Sequence, residues 1–154
     1  MKYRQYKFKF YLNASHAISI GGKLGQKHPH TWEITLNTLK LMDGFIQFNQ
    51  LETRIEEFFD TYQDKVLNEV DPFDVVNPTL ENCCEYFKTQ LQSILNEEGW
   101  VLLMIEMSET PTRTFVINTL EDEAVENQQA VELMANSFLK RVKEQNVANE
   151  SKEQ

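Results

Sequence analysis

Histidine, cysteine, proline and glycine are all scarce in this chain of 154 residues: there are three histidines, two cysteines, four prolines and five glycines. The two cysteines, Cys83 and Cys84, are adjacent. That geometry suits neither a disulfide between them nor a thiolate-rich metal site, so they read as packing residues. The shortage of proline and glycine excludes a low-complexity or collagen-like chain. No apolar run approaches the roughly 18 residues that a membrane helix needs. The opening stretch "MKYRQYKFKFYLNASH" alternates where a signal peptide would carry an apolar block. The expectation is a cytoplasmic protein with no membrane partner. Bases are also in deficit, 15 Lys and Arg against 24 Asp and Glu for a net charge of −9. A dominant basic surface is what nucleic-acid binders present, so none is expected here.

The charge is unevenly spread. Residues 1–40 hold seven bases and one acid, Glu33, for +6, which leaves −15 on the remainder. All three histidines lie in the basic part, where a small anionic ligand is easier to accept than a long polyanion. With 41% apolar residues and ten phenylalanines, the length fits one domain with a core of its own.

Period-two alternation marks the first elements. "KFKFYLNASH" sets Phe8, Phe10, Leu12, Ala14 and His16 on one parity, and "HTWEITLN" does the same with His30, Trp32, Ile34 and Leu36. Two antiparallel strands are predicted, joined by residues 17–27. Asp43-Gly44 reads as a hairpin-type turn into a short strand at "FIQF". A helical stretch follows through Leu51, Ile55, Phe58, Phe59, Tyr62 and Val66, interrupted by "DPFDVVNP". Thr79 is the expected cap of a second helix through Leu80, Cys84, Phe87, Leu91 and Leu95, ending near Gly99. "WVLLMIEM" and "TRTFVIN" read as strands on either side of a "SETP" turn, and residues 123–145 as a third, amphipathic helix before a frayed tail. Strands grouped around a central helix pair indicate an α+β fold.

If the second strand begins near Lys27, His28 and His30 project from one face about 7 Å apart. His16 closes the first strand on its apolar parity and can meet them across the hairpin. Three imidazoles with no fourth protein ligand are the arrangement of a catalytic zinc, which keeps one position open. Other metals also accept imidazole. The bland alternative is two loop histidines and one core histidine.

The landmarks "FYLNASH", "HPHTWEITL", "NPTLEN" and "SET" together resemble the 6-pyruvoyl tetrahydropterin synthase family and its bacterial 6-carboxytetrahydropterin synthase relatives, over roughly residues 5–119. The resemblance implies the T-fold, with an antiparallel sheet carrying two helices on one face, and a homo-oligomer, commonly a hexamer of two trimers. On that reading residues 1–119 form the T-fold domain. Residues 120–154 are an added helical extension and tail; the 123–145 face would dock a protein partner if the chain is a binding protein, or make oligomer contacts if its zinc is structural. The resemblance further implies zinc on His16, His28 and His30, a pterin ring anchored by Glu109, Thr79 near the same pocket, and triphosphate elimination from dihydroneopterin triphosphate. A carboxylate accepting from the N–H and NH2 of a pterin or guanine edge makes chemical sense of Glu109. Read without the resemblance, Glu109 is a turn residue facing solvent, and Asn77-Pro78-Thr79 ends a loop and caps a helix.

The chain departs from the family pattern at its proton-transfer groups. The reacting cysteine, four residues before the first histidine of the pair, is Leu24 here. An Asp-His pair upstream of Leu67-Asn68 is replaced by Gln63 and Asp64, followed by Lys65. Pro29 stands between the histidines where glycine is usual. Asp64, Lys65 and Lys27 are the candidate replacement acids or bases, and Lys23 and Lys27 the candidate phosphate contacts. Three functions remain open: a zinc-dependent lyase with altered proton transfer, a catalytically inactive protein that binds zinc and a pterin-like or purine-like ligand as sensor or scaffold, and a fold that keeps zinc for structure alone.

Overall fold

The structure, a computed structural model, describes residues 4–40 and 45–120. One compact unit ends at Ile117 and holds every candidate site residue; a second begins at Asn118 and is described only through Leu120. The 123–145 helix and the Asp43-Gly44 turn lie outside the described residues. The α+β expectation is met by five paired strands with two helices.

Strands β1 (Arg4–His16) and β4 (His28–Lys40) pair antiparallel over their full length. Between them β2 (Ser19–Ile20) and β3 (Lys23–Leu24) form a small separate hairpin. Its two-residue turn needs positive φ, which Gly21 (58°) and Gly22 (77°) supply without a Cβ penalty. Helix α1 spans Phe48–Asp60 and α2 spans Leu80–Glu97. Strand β5 (Lys65–Val66) lies beside β1 in parallel, and β6 (Trp100–Thr110) and β7 (Arg113–Asn118) complete the sheet order β5-β1-β4-β6-β7.

Alternation decides which face is dry. Phe8, Phe10, Leu12, Trp32, Ile34, Leu36, Ile105 and Met107 point under the helices, where Leu51, Ile55 and Phe59 of α1 and Cys84, Phe87, Leu91 and Leu95 of α2 meet them. The opposite face carries polar cross-strand pairs: Lys9 to Glu33 at 2.9 Å, Asn37 donating to Glu106 at 2.7 Å, and the Thr31 hydroxyl donating to Asn13 at 2.7 Å. On β6 the register slips between Asn37 and Thr38, leaving Leu103 as the extra residue of a bulge.

Three sequence expectations need correction. α1 stops at Asp60, so Tyr62 packs from a turn and Val66 belongs to β5; apolar spacing continued past the helix because the turn fills the same core. "FIQF" is not a strand: Phe48 opens α1 and the residues before it are irregular. Glu109 lies within β6, not in the turn, which is confined to Pro111-Thr112.

Cys83 and Cys84 are fully buried, and desolvation is the main force raising both thiols, Cys84 to about 12. The native protein should therefore leave a thiol reagent such as DTNB unreacted, while both cysteines titrate in guanidinium. Rapid reaction of either thiol in the native state would overturn this packing.

Candidate metal centre and ring anchor

The three histidines converge because of strand pairing. His16 and His28 are direct partners at the end of the β1–β4 ladder, and His30 is two residues on, on the same face. One ligand atom from each lies within 4.8 Å of the others. His16 is fully buried and the other two half-buried.

Hydrogen bonds outside the cluster fix the rings. His16 Nδ1 donates to the Pro78 carbonyl at 2.7 Å, and His28 Nδ1 to the Gln26 carbonyl at 2.9 Å. A carbonyl only accepts, so each Nδ1 carries the proton and each Nε2 presents a lone pair. Those two Nε2 atoms face each other at 3.0 Å. Two lone pairs at that distance repel unless a cation lies between them. Two nitrogens bound to one tetrahedral zinc sit about 3.3 Å apart, given Zn–N bonds of about 2.0–2.1 Å. The donor set therefore fits a divalent metal, and the carbonyl partners supply the outer hydrogen bonds that orient metal-bound histidines. Burial lowers the pKa of His16 and of His30, which keeps both in the neutral, metal-binding form.

The segments after His16 and around Pro78 are tied to one another by asparagines. Asn68 accepts from the Ala17 N–H and donates to its carbonyl, both at 2.8 Å. Asn77 does the same for Ser19, at 2.8 and 2.9 Å. Each amide acts as a one-residue strand partner. The Thr79 hydroxyl accepts from the Asn82 N–H at 3.2 Å and caps α2. In "NPTLEN" it is thus the Pro78 carbonyl that touches the metal centre, while Thr79 holds the helix start.

Glu109 adjoins the histidines. One carboxylate oxygen lies 4.0 Å from His30 Nε2, and the other accepts from Arg113 Nη1 at 3.3 Å. Its side chain is only 11% exposed, while that of Arg113 is 70% exposed. Glu109 also acts electrostatically on His16 and His30. Trp32 forms the floor, edge-on to the rings of His16 (5.0 Å) and His30 (5.3 Å), and its buried Nε1 has no partner among the described residues.

The remaining candidates lie further out. Asp64 adopts a left-handed conformation (φ 59°), its N–H donating to the Asn13 carbonyl at 2.7 Å. It shares a depression of about 360 Å³ with His30 and Ala14, but Asn13, Ser15 and Thr31 in the same walls belong to the sheet face away from the helices. Gln63 is occupied by the Asn13 N–H at 3.2 Å, and Lys65 by the Thr61 carbonyl at 2.7 Å. Lys23 and Lys27 are exposed in the β1–β4 connection, beside an exposed Leu24. Sequence reasoning missed Arg113, Trp32 and the Pro78 and Gln26 carbonyls. The "HTWEITL" parity already put Trp32 on the histidine face; nothing local marked the others.

A five-stranded, mostly antiparallel sheet backed by two helices, with three histidines converging at the end of its β1–β4 pair, defines a T-fold protein with a candidate metal site. The chain belongs to the 6-pyruvoyl tetrahydropterin synthase family, whose sequence profile matches residues 5–120. No curated protein sequence matches it. Among solved structures it is similar to 6-pyruvoyl tetrahydropterin synthase of Caenorhabditis elegans, at 18% identity and a TM-score of 0.66, covering 77% of this chain and 96% of the other. The Plasmodium falciparum enzyme is similar at 14% identity and a TM-score of 0.56, over 75% and 96%. An uncharacterized protein of Wolinella succinogenes is similar at 11% and 0.58, over 77% and 99%. At these identities the likeness is one of fold.

Proposed function

We propose that this protein holds zinc on His16, His28 and His30 and binds a pterin-like ring at Glu109, acting on dihydroneopterin triphosphate or a related pterin as a triphosphate-eliminating lyase. The observation that carries the reading is the nearly buried Glu109 carboxylate 4.0 Å from His30, one of the three converging histidines. A carboxylate so enclosed is suited to accept two hydrogen bonds from the N–H and NH2 of a ring edge, which fixes the ligand relative to the metal. Zinc, when bound, would polarise a hydroxyl or carbonyl oxygen on the ligand side chain and make a neighbouring proton easier to remove. Lys23 and Lys27, exposed near the rim, attract the phosphates.

Proton transfer needs a group other than the thiolate usual in the family, because Leu24 is inert and Cys83 and Cys84 are sealed in the core. Asp64 is the candidate with the best support, sharing a depression with His30. In the elimination it would accept the carbon-bound proton while triphosphate leaves with the C–O bonding electrons. Lys65 and Lys27 are weaker candidates, Lys65 because its ammonium is engaged by the Thr61 carbonyl.

A second reading, a zinc-bound and pterin-binding or purine-binding sensor or scaffold without turnover, is favoured by the exposed Leu24 and by the far-face surroundings of Asp64. Incubation of zinc-loaded protein with dihydroneopterin triphosphate separates the two. Triphosphate release that falls by about 10² or more in Asp64→Asn, a change that tolerates the left-handed backbone, supports the lyase. Tight binding with no release in wild type supports the second reading, and no binding at all overturns both. A homo-oligomer, as in the family, and a cytoplasmic site of action belong to the same proposal; no described helix is long and apolar enough to cross a membrane.

A further inference from the structure

Arg113 stands beside the ring anchor with no part in the function proposed above. It opens β7 just past the Pro111-Thr112 turn, and its register against β6 is stapled by the Ser108–Thr114 hydroxyl pair at 2.6 Å. That register brings Nη1 to 3.3 Å from one Glu109 oxygen, on the side opposite the oxygen that faces His30. A guanidinium has five N–H donors in a planar fork. Glu109 takes one, and with 70% of its side chain exposed, Arg113 has others to offer a ligand seated on the carboxylate.

The edge of a 2-amino-4-oxo ring presents three groups in a row: a carbonyl oxygen, a ring N–H and an amino group. A carboxylate matches the two donors and leaves the carbonyl unread. A donor next to the carboxylate oxygen that takes the ring N–H would meet that carbonyl, and Arg113 lies next to one of the two. A carboxylate oxygen has lone pairs for both the ring N–H and the arginine, so the existing ion pair need not break.

We propose that Arg113 is a specificity-determining residue that donates to the ring carbonyl oxygen, completing with Glu109 a three-point reading of acceptor, donor and donor. The inference rests on Glu109 being the ring anchor. It assigns the ligand class: rings with a carbonyl next to the N–H, of the pterin or guanine type. A site built to pair a polar atom discriminates strongly against an analogue in which that atom pairs poorly.

The test pairs a residue change with a ligand-atom change. Zinc-loaded protein is titrated with pterin and with 2-amino-4-thioxopteridine, whose sulfur accepts hydrogen bonds weakly, and Kd is followed by ligand fluorescence or equilibrium dialysis. Wild type should prefer pterin by about tenfold, the worth of one charge-assisted hydrogen bond. Arg113→Ala should weaken pterin by about tenfold and the thioxo compound by less than about threefold, so that the preference collapses, and Arg113→Lys should restore part of it. Equal weakening of both ligands, or of neither, overturns the role of Arg113 while leaving the anchor intact. Pterin binding that survives Glu109→Gln unchanged, or no pterin binding by wild type, overturns the anchor and this inference with it. Unchanged bound zinc in each variant shows that the centre itself is preserved.

Discussion

Replacing His28 with alanine should lower bound metal from about one ion per chain to less than about a tenth, because two imidazoles on neighbouring strands do not hold a divalent ion against ordinary competition. Elemental analysis after dialysis reads this directly. His16→Ala should lose metal to the same extent, but the two variants should part company once metal is removed from all of them. His28 is half-buried and its partner, the Gln26 carbonyl, lies in an exposed segment where water can replace the ring. His16 is fully buried and its Nδ1 serves the Pro78 carbonyl at 2.7 Å. Its removal leaves both a void and an acceptor without a donor, together about 2–4 kcal/mol. Urea unfolding of metal-free proteins should therefore find His28→Ala close to wild type and His16→Ala well below it. Retention of a full equivalent of metal by either variant would remove the triad as the metal centre.

That contrast also marks where the sequence stops being legible. Parity alone put His16, His28 and His30 on one face, because β1 and β4 run uninterrupted for 13 residues each and a period of two survives without a bulge. Glu109 was reachable from its motif. Its surroundings were not: Arg113 is an ordinary exposed base in sequence, and only the hairpin register turns it toward the carboxylate. The Pro78 carbonyl is a backbone group 62 residues from the ring that it orients, and no side-chain pattern announces such a contact. The end of α1 was misjudged for a related reason. Tyr62 and Val66 keep the apolar spacing of a helix while sitting in a turn and in β5, since one core accepts side chains from either. Asp64 shows the opposite limit. Its position in sequence falls within the family's Asp-His pair, at the histidine, yet most of the residues around it face away from the helices.

Truncating Phe87 to alanine should cost about 3–5 kcal/mol of unfolding free energy, more than any surface change in this chain. The ring is fully buried on α2 and lies within 6 Å of Phe58, Phe59, Tyr62, Phe73 and Tyr86, mostly edge to face. It is the point where α1, α2 and the segment between them share one contact. Aromatic pairs add to the area term, and a rigid cluster of rings collapses poorly into the space that one ring vacates. Phe73 links the cluster to the metal centre: it anchors the stretch that continues to Asn77 and Pro78, the groups that tie down Ser19 and orient His16. Phe87→Ala should thus speed metal release to a chelator as well as lower the urea midpoint, although it touches no ligand. Phe45→Ala, at a ring 92% exposed, should move stability by less than about 0.5 kcal/mol and leave metal release unchanged. A loss below about 1.5 kcal/mol for Phe87→Ala would mean that the site's cavity relaxes far more than so many facing rings allow. Unaltered metal release despite a large loss of stability would mean that the His16 support is held by the two asparagines alone.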